Sequence, residues 1–139
     1  MITRTAIANA RDIFLAALTA RDFARFAEAL SPTSQARFLL PRGPEVRSGR
    51  EEITNRIKGW FAGATEFEVL EAGSEPVGRR HRLNWRFRLS RDGVAREVIE
   101  QVAFVDEGPD GISSIDLVCS GFLADDSPVI CDVTGPLAG

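Results

Sequence analysis

The stretch RRHRLNWRFRLSRDGVAREVIEQVAFV, residues 79–105, decides how this chain folds. From Arg79 to Ser90 it alternates. His81, Leu83, Trp85, Phe87 and Leu89 fall on one side, and Arg80, Arg82, Asn84, Arg86 and Arg88 on the other. A period of two with one apolar side is a half-buried strand. Asp92-Gly93 then marks a hairpin turn, because both central residues of a type I′ turn need positive φ, and the return strand covers Val94 to Val105.

A two-residue loop at Asp92-Gly93 fixes a register. Arg91 pairs with Val94, so Phe87 lies opposite Val98, Trp85 opposite Glu100, Leu83 opposite Val102 and His81 opposite Phe104. On the other face Arg88 meets Glu97 and Asn84 meets Gln101. One face is then apolar apart from Glu100 and the terminal His81, and the other is polar with a cross-strand charge pair.

The elements on either side follow from period and punctuation. Ala6, Ala10, Ile13, Phe14, Ala17 and Leu18 give a helix over 5–19. Asp22 caps a second, 22–30, that buries Phe23, Phe26, Ala27 and Leu30, and Ser31-Pro32 ends it. A short strand over 37–40 leads to the loop Pro41-Arg42-Gly43-Pro44. Ser48 and Glu51 read as a capping box for a third helix with Ile53, Ile57, Trp60 and Phe61 on its inner face and a left-handed Gly63 at its end. Strands over 65–71 and 112–122 flank the central hairpin, with turns at 73–78 and 107–111. Residues 1–123 read as one domain and 124–139 as a C-terminal tail.

At 139 residues the chain suits one domain with a core large enough to stand without staples. A net charge of −3 argues against a general pull on nucleic acid. No apolar run is long enough for a membrane span, and the first ten residues lack the apolar core of a signal peptide. Cys119 and Cys131 make neither a disulfide framework nor a metal spacing, so the cytoplasm is the expected compartment. Lys58 is the only lysine, a usage expected of GC-rich bacterial coding.

Three helices, a short strand between the second and third, and a closing antiparallel meander form an order that resembles the NTF2-like superfamily, in particular its SnoaL-like (polyketide cyclase-like) branch. The passages that carry the resemblance are Leu39 to Pro44 leading into Ser48-Gly49-Arg50, Glu100-Gln101 in the penultimate strand, and Gly111-Ile112 through Leu117-Val118-Cys119-Ser120-Gly121-Phe122. The resemblance implies an α+β cone, three N-terminal helices on a curved mixed or antiparallel sheet around an apolar pocket, and a homodimer packed through the sheet. It also implies that Ser113, Ile115, Leu117 and Cys119 face the pocket. It implies no single activity, since the superfamily holds isomerases, dehydratases, cyclases, epoxide hydrolases and binding modules.

The expected ligand is an apolar or aromatic small molecule held by Leu83, Trp85, Phe87, Val98, Val102, Leu117 and Trp60, with His81 and Arg42 at the rim. Glu100, placed among apolar neighbours, has its pKa raised by burial and becomes the candidate general acid/base for a lyase, isomerase or cyclase reaction. The other reading of Glu100 is a carboxylate that bonds Trp85, an arginine or a helix amide in a non-catalytic binding or dimeric scaffold module. Asp116 faces outward and is a weaker candidate. Arg42 and Arg50 could hold an anionic group. With no tyrosine, a single histidine, and apolar Leu83, Trp85 and Leu117 where an Asp-Arg-Asp set would stand, the acid/base sets known in the superfamily are missing. No sequence motif calls for a metal or a cofactor, and none is expected.

Overall fold

The computed structural model describes residues 9–125. Helix α1 (Ala10–Ala20) starts where Asn9 accepts a hydrogen bond from the Asp12 amide, and ends at Arg21 in a left-handed conformation, φ 56°. Residues 5–8 of the expected first helix lie outside the described residues. Helix α2 (Phe23–Glu28) is capped by Asp22, whose side chain accepts from the Arg25 amide. Arg21 ties these helices to the next one, donating to the carbonyls of Phe61 and Ala64 at 3.0 and 2.9 Å and lying over the Phe67 ring.

Strands β1 (Leu30–Leu40) and β2 (Gly43–Ser48) form a hairpin through Pro41-Arg42. The sequence reading gave only 37–40 as strand here, because polar Ser31 to Gln35 hide the alternation. Helix α3 (Arg50–Phe61) follows. Its N-cap is Gly49, with no side-chain cap bond. The expected Ser48–Glu51 box is replaced by Glu52 accepting from the Ser48 amide at 3.1 Å, while the Ser48 hydroxyl bonds Gln35. The helix ends at Ala62 in a right-handed conformation, and Gly63 is not in the left-handed region.

Strands β3 (Glu66–Val77), β4 (Arg80–Ser90), β5 (Glu97–Gly108), β6 (Gly111–Cys119) and β7 (Leu123–Ala124) complete a seven-stranded mixed sheet. The order is β2-β1-β6-β5-β4-β3, with β1 and β6 parallel and β7 on β5. β3 runs through the stretch expected as a turn, so the bend falls at Gly78-Arg79. β7 reaches into the expected tail, and residues 126–139 lie outside the described residues.

The central hairpin departs from the expected register by one residue. Asp92 and Gly93 do take positive φ, 50° and 79°, and the Val94 amide donates to Arg91 at 2.9 Å. Beyond that turn one residue among Val94, Ala95 and Arg96 is surplus, so Leu89 pairs with Glu97, Phe87 with Ile99, Trp85 with Gln101, Arg86 with Glu100 and His81 with Val105. The inner face of β5 is therefore Ile99, Gln101, Ala103 and Val105, all buried. Val98, Glu100 and Val102 are on the outer face, contrary to the sequence reading. β5 has two faces with three apolar residues and one polar residue each, so alternation cannot choose between them. What separates them is that a neutral amide can be buried with its bonds made, whereas a buried carboxylate loses its hydration. Gln101 is 0% exposed and accepts from Trp85 Nε1 at 2.7 Å.

Helices α1 to α3 close the inner face of the sheet, and the interior between them is packed. Phe14 stacks at 4.6 Å on Phe26 and 6.0 Å from Trp85, while Phe61 meets Phe87 at 5.2 Å. Leu83, Trp85 and Phe87 have no exposed surface and Leu117 almost none.

The register can be tested by exchanging the two polar residues of β5. Gln101→Glu is expected to lose about 3–5 kcal/mol in urea unfolding at about pH 8, because it buries an unpaired charge. A buried carboxyl has a folded pKa above its unfolded value, so this loss is absent at low pH and grows as pH rises through about 4.3 and above. Glu100→Gln removes one exposed pair and is expected to change stability by less than about 1 kcal/mol.

Candidate functional site: a cleft at the rim of the cone

The sheet's outer face carries the arginine comb of β4, and its charges are matched in place. Arg80 bonds Asp106 and Asp116, Arg82 bonds Glu75, and Arg88 bonds Glu68 and Asp125. Arg86 holds Glu100 by two bonds, Nε at 3.0 Å and Nη2 at 2.8 Å, with Glu71 on its other side. Glu100 is thus an exposed, paired carboxylate and has no place in an apolar pocket. Asp116 faces outward as expected; a hydrogen bond from Arg37, joined by Arg80 and opposed by partial burial, pulls its pKa below the usual carboxylate range.

The other residues singled out in the sequence divide into three groups. Leu83, Trp85, Phe87 and Leu117 belong to the sealed core. Val98 and Val102 stand on the outer sheet face, and His81 is half-buried at the start of β4. Trp60 and Arg42 border a cleft at the rim, while Val98 and Glu100 line a smaller, largely charged hollow on the outer face. Arg50 is occupied structurally, donating to the Leu30 carbonyl through Nε and Nη2.

The rim cleft, of about 660 Å³, lies between the β1–β2 turn, the second half of α3 and the segment after β6. Leu40, Pro41, Trp60 and Phe122 supply its apolar wall, and Arg42, Glu45, Arg56 and Cys119 its polar groups. The turn Pro41-Arg42 brings one side over, and Gly121 makes room for it. Gly121 has φ +85°, and a Cβ there would stand 2.7 Å from Pro41 Cγ.

Glu45 lies between two guanidiniums, with Arg56 Nε at 2.6 Å and Arg47 Nε at 2.9 Å. The hydrogen bond from Arg56, aided by Arg47 and opposed by partial burial, holds its carboxyl below the usual range. Arg56 also sits 5.1 Å over the Trp60 ring, which fixes the height of the α3 wall. At the floor, the Gln101 side-chain amide donates to Cys119 Sγ at 3.2 Å and the Gly121 amide donates at 3.3 Å. A chain of hydrogen bonds therefore runs from buried Trp85 through Gln101 to a thiol on the cleft. The expected register put Gln101 on the polar outer face opposite Asn84, whereas it is buried on the inner one. A signal for Gln101 was available, since an amide is the cheaper of two adjacent polar residues to bury. Among the described residues no group of histidine, cysteine and carboxylate side chains could hold a metal ion, and no helix is long and apolar enough to cross a membrane.

No family model and no curated protein matches the chain. Solved structures do. A cystatin-fold protein from Novosphingobium aromaticivorans superposes with a TM-score of 0.61 at 19% identity, covering 78% of this chain and 93% of that one. A SnoaL-like polyketide cyclase candidate from Shewanella denitrificans gives 0.60 at 12% identity, covering 79% and 87%. An LEH-like epoxide hydrolase of M. tuberculosis gives 0.58 at 16% identity, covering 79% of each chain. The chain has the NTF2-like, cystatin-like α+β fold that the sequence pattern resembles. At these identities the likeness is one of fold, and the fold is shared by proteins with different chemistries.

Gly121→Ala tests how the cleft is built. It places a Cβ against Pro41 in a backbone conformation that disfavours it, and is expected to lose about 1–3 kcal/mol by thermal or urea unfolding. Unchanged stability would mean that the β1–β2 turn does not rest on Gly121.

Proposed function

We propose that this chain is a non-catalytic small-molecule-binding module whose ligand occupies the rim cleft. The clamp on Glu45 carries this reading. Among the described residues Glu45 is the one carboxylate lining the cleft, and two arginines keep it ionised. A carboxylate with a lowered pKa is a weak base and a poor proton donor at neutral pH. Glu100, the acid proposed on sequence grounds for lyase, isomerase or cyclase chemistry, is on the opposite face and bonded to Arg86. The volume of the cleft falls in the range of small-ligand sites, roughly 300–1,000 Å³, and its wall suits a flat apolar or aromatic body.

The same reading includes a homodimer through the outer face of the sheet. Leu39 pairs with Val118 and Val118 with Val102, making one apolar row across three adjacent strands. Leu39 is 53% and Val118 51% exposed. Paired charges flank the row on both sides, so a second copy of this face would cover it without stranding an unmatched arginine.

Two measurements test these readings. In amide spectra of the whole chain, aromatic fragments are expected to shift Gly43, Ser120, Gly121 and Leu123; shifts centred on the Trp85 indole, or none, contradict the cleft as the site. Light scattering at micromolar concentration is expected to give twice the chain mass, and Val118→Arg one chain mass. A single-chain mass for the unaltered protein contradicts the dimer.

A further inference from the structure

We infer that the cleft selects an amphipathic anion, a flat apolar body carrying a carboxylate or a like-charged head; this rests on the cleft being the ligand site. The cleft carries charge left over. The charged residues lining the cleft are Arg42, Arg56 and Glu45, and Glu45 is already engaged by Arg56 and Arg47, so the lining keeps a positive surplus. Arg42, on the opposite lip, is exposed and has no hydrogen-bond or ion-pair partner among the described residues. On the outer face of the sheet, by contrast, Arg37, Arg80, Arg82, Arg86 and Arg88 are each met by a carboxylate. In a chain of net charge −3, the cleft is therefore a local positive site.

The placement of the cations sets the ligand's shape. Arg56 is engaged from two sides, by Glu45 and by the Trp60 ring, and can reorient little. Arg42 sits at the tip of a two-residue turn, and its fork of N–H donors suits a planar head such as carboxylate. Leu40, Pro41, Trp60 and Phe122 line the space beneath it and would take the apolar body. A cationic ligand would meet two like charges, and a fully polar one would leave the Trp60 and Phe122 surfaces uncovered.

The test is a matched pair of probes on the full chain, 2-naphthoate and its neutral isostere 2-naphthamide, titrated by calorimetry and by amide shifts at Gly43 and Gly121. The expected result is binding of naphthoate about fivefold or more tighter than naphthamide at low salt, the preference shrinking as salt rises. Arg42→Gln is expected to remove that preference while leaving naphthamide binding unchanged. Equal affinity for the two probes overturns the assignment of ligand class while the cleft remains the site, and a full preference that survives Arg42→Gln overturns Arg42 as the group that reads the charge. Absence of shifts at Gly43 and Gly121 with both probes overturns the cleft itself.

Discussion

The Trp85 indole N–H and the Gln101 side-chain carbonyl meet at 2.7 Å in a region closed to solvent, and the register of the central hairpin rests on that contact. An indole donor buried without a partner is costly, and so is a buried amide. Each satisfies the other here. With Gln101 inward, Glu100 must point outward, where Arg86 is waiting. A one-residue slip would leave Trp85 facing a carboxylate, strand Arg86, and replace Ile99 and Ala103 with Val98 and Val102 on the inner face. The surplus residue after the Asp92-Gly93 turn is the local adjustment that permits the better pairing.

This register moves the functional question from the middle of the cone to its rim. Phe14, Phe26, Phe61, Trp85 and Phe87 fill the interior with tilted and edge-on ring contacts, so the apolar face of β4 is core and not a ligand wall. What stays open is bounded by short-range features: the tight Pro41-Arg42 turn, the glycine beneath it, and the Arg56 guanidinium over Trp60. Gln101 connects the two regions, because its oxygen serves the core and its nitrogen serves Cys119 at the floor of the cleft. Packing and site therefore share one residue.

Where one reading of the residues was much better than its rival, the sequence was a sound guide. The arginine comb of β4 has an apolar opposite face and admits one orientation. The inner seam of α3 repeats at helical spacing, and Asp22 caps α2 as its position suggests. The order of elements identified the fold. Legibility failed where two readings had nearly equal cost. β5 is amphipathic in both registers, and a turn signal fixes a turn without fixing whether the strands beyond it carry a bulge. β1 begins in polar residues that show no alternation, and its regular pairing with β2 and β6 runs from Gln35 onward. Ser48 looks like a cap but spends its hydroxyl on Gln35. Of the expected site residues only Arg42 and Trp60 reach the cleft, since the sequence shows which residues are apolar but not whether the space between them is filled.

The most direct test of the account is the cross-strand proton contacts of the central hairpin. In a nuclear Overhauser spectrum of the full chain, β4 and β5 should connect Leu83 with Ala103, Trp85 with Gln101 and Phe87 with Ile99, and the Trp85 indole proton should be protected from exchange. Contacts joining Trp85 with Glu100 and Phe87 with Val98 instead would contradict the account, returning the carboxylate to the interior.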